Sequence, residues 1–149
     1  METHEITYNF HDQGGVAEAR LWIENLAHPR WTVEYYNNMT LSGAPVATEP
    51  DPTVFYDWGL GRPHSAMQKD GFSARWRGQR HFHAGFYRFW VFHDDGARLI
   101  VDGEVLINQW RDGRAAHDSL LTYMSSGYHD VVIEYYENIG DAEIRFWWE

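Results

Sequence analysis

Apolar residues in this chain recur at every second position, and the three-and-four spacing of an amphipathic helix is missing. Trp31, Val33 and Tyr35 alternate with Thr32, Glu34 and Tyr36; Val131, Ile133 and Tyr135 with Val132, Glu134 and Tyr136; Ile144, Phe146 and Trp148 with Arg145, Trp147 and Glu149. Successive side chains of an extended chain point to opposite faces, so this pattern describes strands with one face buried. It predicts an all-β fold, and 149 residues suffice for one ordinary domain with a real core plus at most a short appendage. Ala44 to Pro52 and Asp57 to Gly71, where Pro45, Pro50, Pro52 and Pro63 fall, read as long surface connections. Asp112 to Asp118 reads as a further connection that admits a short helical turn.

Charge narrows the partners. There are 12 Lys+Arg against 22 Asp+Glu, a formal charge of −10 with neutral histidines, and no basic run that would track a phosphate backbone, so nucleic acid is not an expected partner. Eight tryptophans are more than a small domain readily buries, which leaves rings to face a ligand such as a sugar, or a protein interface. Cysteine is absent, which removes disulfides, thiol catalysis and Cys-ligated zinc. No apolar stretch approaches the roughly 20 residues of a membrane-crossing helix, so membrane insertion is not expected. The start, Met1-Glu2-Thr3-His4-Glu5, lacks the basic and apolar regions of a secretory signal.

Two strand-like runs, Tyr87 to His93 and Ala97 to Val101, meet at Asp94-Asp95-Gly96. Carboxylates concentrated on one turn repel unless water, a cation or a basic group lies between them, and a hard cation such as calcium favours several oxygen ligands. The same residues also suit a solvated turn, because Asp-Gly favours positive φ.

The surroundings of that turn carry a resemblance. Glu34-Tyr35-Tyr36-Asn37-Asn38 with Leu41-Ser42-Gly43-Ala44-Pro45-Val46, then Tyr56-Asp57-Trp58-Gly59-Leu60-Gly61-Arg62-Pro63, then Phe72-Ser73-Ala74-Arg75-Trp76 stand in order. Gly85-Phe86-Tyr87-Arg88-Phe89, the Asp-Asp-Gly turn, Val101-Asp102-Gly103, Trp110 and Gly127-Tyr128-His129 leading into Glu134-Tyr135-Tyr136-Glu137-Asn138 complete the set. From about Trp31 to Glu149 the chain resembles the PA14 domain family. The resemblance implies an antiparallel β-sandwich or barrel-like fold that often serves as a carbohydrate-binding or adhesion module. It also implies an extracellular or cell-surface setting, with a glycan or surface polysaccharide as partner. In lectin-like members two adjacent aspartates joined by a cis peptide hold calcium that binds sugar hydroxyls, and these align with Asp94 and Asp95. Members of the yeast adhesin type have specificity loops and cysteines that this chain lacks, so no particular sugar carries over.

Further oxygens for the ion are expected from Asn138 and Asp141, which serve equally as Asx-turn residues. Asp102 is expected to close a hairpin. Asp57 and Trp58 put a carboxylate beside a ring, which suits hydrogen bonding and stacking on a sugar, although Trp58 fits the core as well. Trp110 stands beyond the Asp-Asp hairpin as a candidate rim residue. His81 and His83 share a strand face in a chelating i, i+2 arrangement, but two ligands make no specific metal site. No carboxylate spacing identifies a glycosidase pair, and a Ser-His-Asp set would have to come from scattered residues without a nucleophile elbow, so no catalytic residue is expected.

Residues 4–24 align without gaps onto 129–149 at a constant offset of 125 residues. His4/His129, Gly15/Gly140, Ala17/Ala142, Glu18/Glu143, Arg20/Arg145, Trp22/Trp147 and Glu24/Glu149 are identical pairs. Met1 to Glu24 therefore reads as a copy of the terminal β-hairpin, 25–30 as a linker and 31–149 as the domain. The copy is either a remnant at the boundary of a tandem array or an assembly element through which the chain self-associates in a fibre, appendage or stalk. The expected function is a noncatalytic, calcium-assisted carbohydrate-binding module, with structural self-assembly as the alternative.

Overall fold

The computed structural model describes residues 6–12, 15–21, 30–113 and 116–149, the first two stretches as backbone. The described residues hold twelve strands: β1 (Ile6–Asp12), β2 (Gly15–Leu21), β3 (Trp31–Tyr36), β4 (Ala47–Asp51), β5 (Phe55–Gly59) and β6 (Phe72–Phe82), followed by β7 (Gly85–Asp94), β8 (Gly96–Val101), β9 (Glu104–Gln109), β10 (Ala116–Met124), β11 (Gly127–Glu137) and β12 (Ala142–Trp148). Two antiparallel sheets form the domain. One is ordered β10-β7-β12-β5, the other β4-β3-β6-β11-β8-β9. The all-β sandwich expected from the alternation is what the chain forms.

The predicted alternation is visible strand by strand. On β11, Val131, Ile133 and Tyr135 are buried, and on β12 so are Ala142, Ile144 and Phe146. Both inner faces contribute large rings, with Trp76, Tyr135, Phe72, Phe82 and Phe89 almost fully buried. Asp51 matches two polar groups of this core: the Trp76 indole donates to its Oδ2 at 2.8 Å and the Tyr56 hydroxyl to its Oδ1 at 2.6 Å. A buried carboxylate held this way organises the rings around it instead of standing as an unmet charge.

Two segments read as loops contain strands. Ala44 to Pro52 includes β4, and Asp57 to Gly71 begins inside β5. Both strands lie at sheet edges. An edge tolerates Pro50 because one side of the strand needs no donor, which is why the local sequence reads as loop. Asp112 to Asp118 runs into β10 at Ala116, and no helix lies among the described residues.

The terminal strands need a larger correction. β11 and β12 are not a hairpin: β11 pairs with β6 and β8 in the six-stranded sheet, and β12 with β7 and β5 in the other. Each is a central strand, and a short connection carries the chain from one layer to the other. β1 and β2 do pair with each other, in the register Ile6↔Leu21 to Asp12↔Gly15. β7 and β8 are likewise split between layers, so Asp94–Gly96 is a corner between sheets. Asp102 does close the β8–β9 hairpin, at φ 50°.

Candidate metal and ligand site

At the corner, the Asp94–Asp95 peptide is cis. Asp94 ends β7, Asp95 immediately precedes β8, and the end of β11 brings Glu137 against them. Carboxylate oxygens of Asp94, Asp95 and Glu137 lie within 4.8 Å of one another, the one such group of three potential ligands among the described residues.

The Asp95 carboxylate and the backbone of the corner are held by their surroundings. Asp95, 8% exposed, accepts the Gly113 amide at 3.0 Å on Oδ1 and the Asn138 amide at 2.9 Å on Oδ2. The Asp94 carbonyl accepts the Tyr135 hydroxyl, and the His93 ring Nδ1 meets the Asp95 carbonyl. His93 is fixed from its other side, where Nε2 lies 2.9 Å from Asp118 Oδ2 and Gln109 holds Asp118 Oδ1 at 2.8 Å. Glu137 is 0% exposed; Tyr135 reaches its Oε2 at 3.3 Å, while Oε1 is buried with no hydrogen-bond partner. Burial first, and the charge of Asp95 second, push the Glu137 carboxyl up to about 8.

Glu137 Oε1 is buried without a hydrogen-bond partner, and its carboxylate is grouped with two more acids, an arrangement in which like charges favour protonation or a bound cation. Oxygen donors of this kind fit a hard divalent cation. Transition metals that seek imidazole or thiolate do not fit so well, since all three groups are carboxylates.

A rim lies beside the acids. Tyr136 donates to Asp112 Oδ1 at 2.7 Å, Asn138 Nδ2 to Asp112 Oδ2 at 2.9 Å, and the Trp110 ring lies 4.8 Å from that of Tyr136 with the Arg98 guanidinium 3.9 Å over it. Gly96 makes this packing possible, because a Cβ there would stand 2.1 Å from the Tyr136 ring. The glycine after the two aspartates is required by the neighbouring strand as well as by the corner.

The candidates from sequence are distributed unevenly. Asp94 and Asp95 are in the cluster, Asn138 is beside it through its amide and side chain, and Trp110 is on the rim. Asp141 is exposed and is not one of the three grouped acids. Asp57 accepts the Gly59 amide at 3.1 Å and lies opposite Glu143, whose own cross-strand neighbour on the other side is Asp94. Trp58 is half-buried, its ring 5.0 Å from Tyr56, 6.0 Å from Phe72 and 6.4 Å from Trp76, so it serves the core. His81 and His83 remain a surface pair with rings 5.3 Å apart. Glu137 was missed, although the alternation held a signal for it: it falls on the same face as Val131, Ile133 and Tyr135, where an acid needs an explanation.

Scattered residues also assemble at the opposite end of β11. His129 Nδ1 lies 2.6 Å from Asp102 Oδ2, and its Nε2 is 3.1 Å from the Ser125 carbonyl and 3.3 Å from Ser125 Oγ. Both ring nitrogens face acceptors, which favours the doubly protonated ring, and the Asp102 hydrogen bond raises its pKa. The pair clamps two turns together, with a partner on each ring nitrogen.

Comparison with known proteins agrees with the fold. The chain is 37% identical over 117 residues to anti-sigma-I factor RsgI3 of Acetivibrio thermocellus, a match covering 77% of this chain and 18% of that protein. It superposes on a solved anti-sigma factor domain-containing protein with a TM-score of 0.76 at 35% identity, over 82% of this chain and 43% of that one. It superposes on a PA14 sugar-binding domain from an RTX adhesin with a TM-score of 0.65 at 18% identity, over 81% and 89% of the two chains, a likeness of fold. This chain thus spans less than a fifth of the curated relative and less than half of the first solved one. The family profile for the PA14 domain matches residues 29–149, and the chain belongs to the PA14 domain family.

Proposed function

We propose that this domain is a noncatalytic carbohydrate-binding module whose glycan is engaged through a calcium ion held by Asp94, Asp95 and Glu137. The observation that carries the reading is the fully buried Glu137, whose Oε1 has no hydrogen-bond partner and whose carboxylate is grouped with those of two aspartates. When bound, calcium supplies positive charge and coordination positions that sugar hydroxyls can fill. The protein's own contribution is preorganisation. Backbone amides of Gly113 and Asn138 fix both oxygens of Asp95, Tyr135 ties the Asp94 carbonyl to β11, and Asp112 holds Tyr136 and Asn138 at the rim. Trp110 offers its half-buried ring beside them for contact with a sugar face. The structurally similar adhesin domain is named for sugar binding, which supports the ligand class. The corresponding setting is extracellular or at the cell surface.

Titration calorimetry with calcium, followed by a glycan array with calcium and with chelator, tests this. Heat of calcium binding that disappears in Asp95→Asn, together with calcium-dependent glycan capture, is expected. No heat and identical melting curves with calcium and chelator would remove the ion from the account. Glycan capture indifferent to calcium would separate the sugar from it.

A second reading is favoured by the relatives at 35% and 37% identity, both named for anti-sigma factors. In it the same site serves as the ligand-sensing module of a larger regulator. The two readings share the ligand and differ in what the domain is attached to.

A further inference from the structure

The fold gives the internal copy a meaning that sequence alone leaves open. Positions 17, 19 and 21 correspond to Ala142, Ile144 and Phe146, the buried face of β12, and hold Ala17, Ala19 and Leu21. Positions 6, 8, 10 and 12 correspond to Val131, Ile133, Tyr135 and Glu137, the buried face of β11, and hold Ile6, Tyr8, Phe10 and Asp12. The core pattern is thus kept, including an acid at the end. Gly15 stands where Gly140 adopts φ +117°, a conformation that a side chain would strain.

The outer positions are more telling, since Glu18, Arg20 and Trp22 are identical to Glu143, Arg145 and Trp147. In the domain, these three residues are served by both neighbours of β12. Arg145 pairs with Glu143 and lies 4.9 Å over Phe55 of β5 and 5.3 Å over Phe92 of β7, while the Trp147 ring stacks on Trp90 of β7 at 5.9 Å. A free hairpin has no use for residues suited to a strand flanked on both sides. β1 and β2 nevertheless have only each other in a two-stranded sheet, which is marginal in water. The slots they match, between β6 and β8 and between β7 and β5, are filled here by the chain's own β11 and β12.

We propose that residues 4–24 are the closing strand pair of a second sandwich of this fold, which precedes this one in the polypeptide and is joined to it through residues 25–30. Exchange between separate copies is disfavoured, because an incoming pair would have to displace a nearly equivalent pair tethered in place at high effective concentration. The inference does not rest on the calcium reading.

The test adds to the full chain what the copy lacks. Residues 30–126 are joined directly ahead of Glu2, the counterpart of Gly127, and hydrogen exchange is compared with that of the 149-residue chain. Amides of residues 6–12 and 15–21 are expected to exchange about 100-fold or more slower in the extended protein. Phe10→Asp or Ala17→Asp should abolish that protection while the melting of residues 30–149 is unchanged. A control closed upstream by residues 127–149 shows that the added segment can fold. Unchanged exchange, with the added segment digested by protease in the test protein and resistant in the control, would overturn the proposal. Hydrogen exchange and sedimentation of the unmodified chain form an independent test. Fast exchange at residues 6–21 in a monomer supports the proposal. Protection there equal to that of β11, in a monomer or a dimer, overturns it.

Discussion

The two ends of the β8–β11 pair carry acids in opposite circumstances. At one end Asp102 is met by His129 at 2.6 Å, and each group shifts the other toward its charged form. At the other end Asp94, Asp95 and Glu137 bring three carboxylates within 4.8 Å of one another, and Glu137 is driven toward its neutral form, by burial first and the charge of Asp95 second. The same two strands thus end once in an acid–imidazole pair and once in a group of three acids. Acids grouped in this way are where the proposed calcium would bind.

The largest effect should come from the glycines that bracket β8. Gly96→Ala forces a Cβ to 2.1 Å from the Tyr136 ring, and a loss of about 3 kcal/mol in chemical denaturation is expected as the strand and rim shift. Gly103→Ala, at φ +82° with nothing within 4 Å, should cost only about 1 kcal/mol through backbone strain. Equal losses would mean that the acid end is no more tightly built than the clamp end.

Next in size is removal of the ion. Calcium at about 100 times its dissociation constant should stabilise the domain by about 2.7 kcal/mol, seen as a melting temperature that drops on chelation. Asp95→Asn should abolish that drop, and His129→Asn should leave it intact. A drop lost in both variants would deny that the ends are independent.

The pH response should also separate them. The folded protein holds the Glu137 proton to about pH 8, whereas an unfolded glutamate releases it near 4.5, so in chelator stability should fall as pH rises through that window. Glu137→Gln should flatten the slope, and calcium should oppose it by favouring the ionised acid. A rising slope in chelator would contradict the uncompensated burial of Glu137.

The smallest effect belongs to the clamp. The raised pKa of His129 makes its contribution full below the unfolded value of 6.5 and lost as pH rises through the folded value. The lowered pKa of Asp102 makes its contribution full above 3.8 and lost as pH falls through its folded value. His129→Asn should therefore cost most between those two values, by about 1 kcal/mol or less at this partly exposed pair. A cost that grows from neutral to alkaline pH would reverse the assigned charges.

These contrasts also separate what could be read from the residues from what could not. Alternation at Trp31–Tyr35, Val131–Tyr135 and Ile144–Trp148 is a local property, and it led directly to strands with the correct buried faces. Assignment of strands to sheets is not local. β11 and β12 look like a hairpin because only their long-range partners, β6, β8, β7 and β5, show that they lie in different layers. β4 and β5 escaped notice because edge strands need little strand propensity when a single neighbour suffices. At the site, Asp94 and Asp95 were legible as adjacent like charges, and Trp110 as a ring beside a loop. Glu137 was not, since its significance depends on the fold carrying the end of β11 to a corner 42 residues earlier in the chain.

That corner also has a mechanical meaning. Asp94 ends a strand of the four-stranded layer, while Asp95 leads into the six-stranded layer to which Glu137 belongs. An ion shared by the three would act as a rivet through both layers, resisting shear of one across the other when a tethered ligand pulls on the module. Under load, grip and integrity of the sandwich would then fail together at one point.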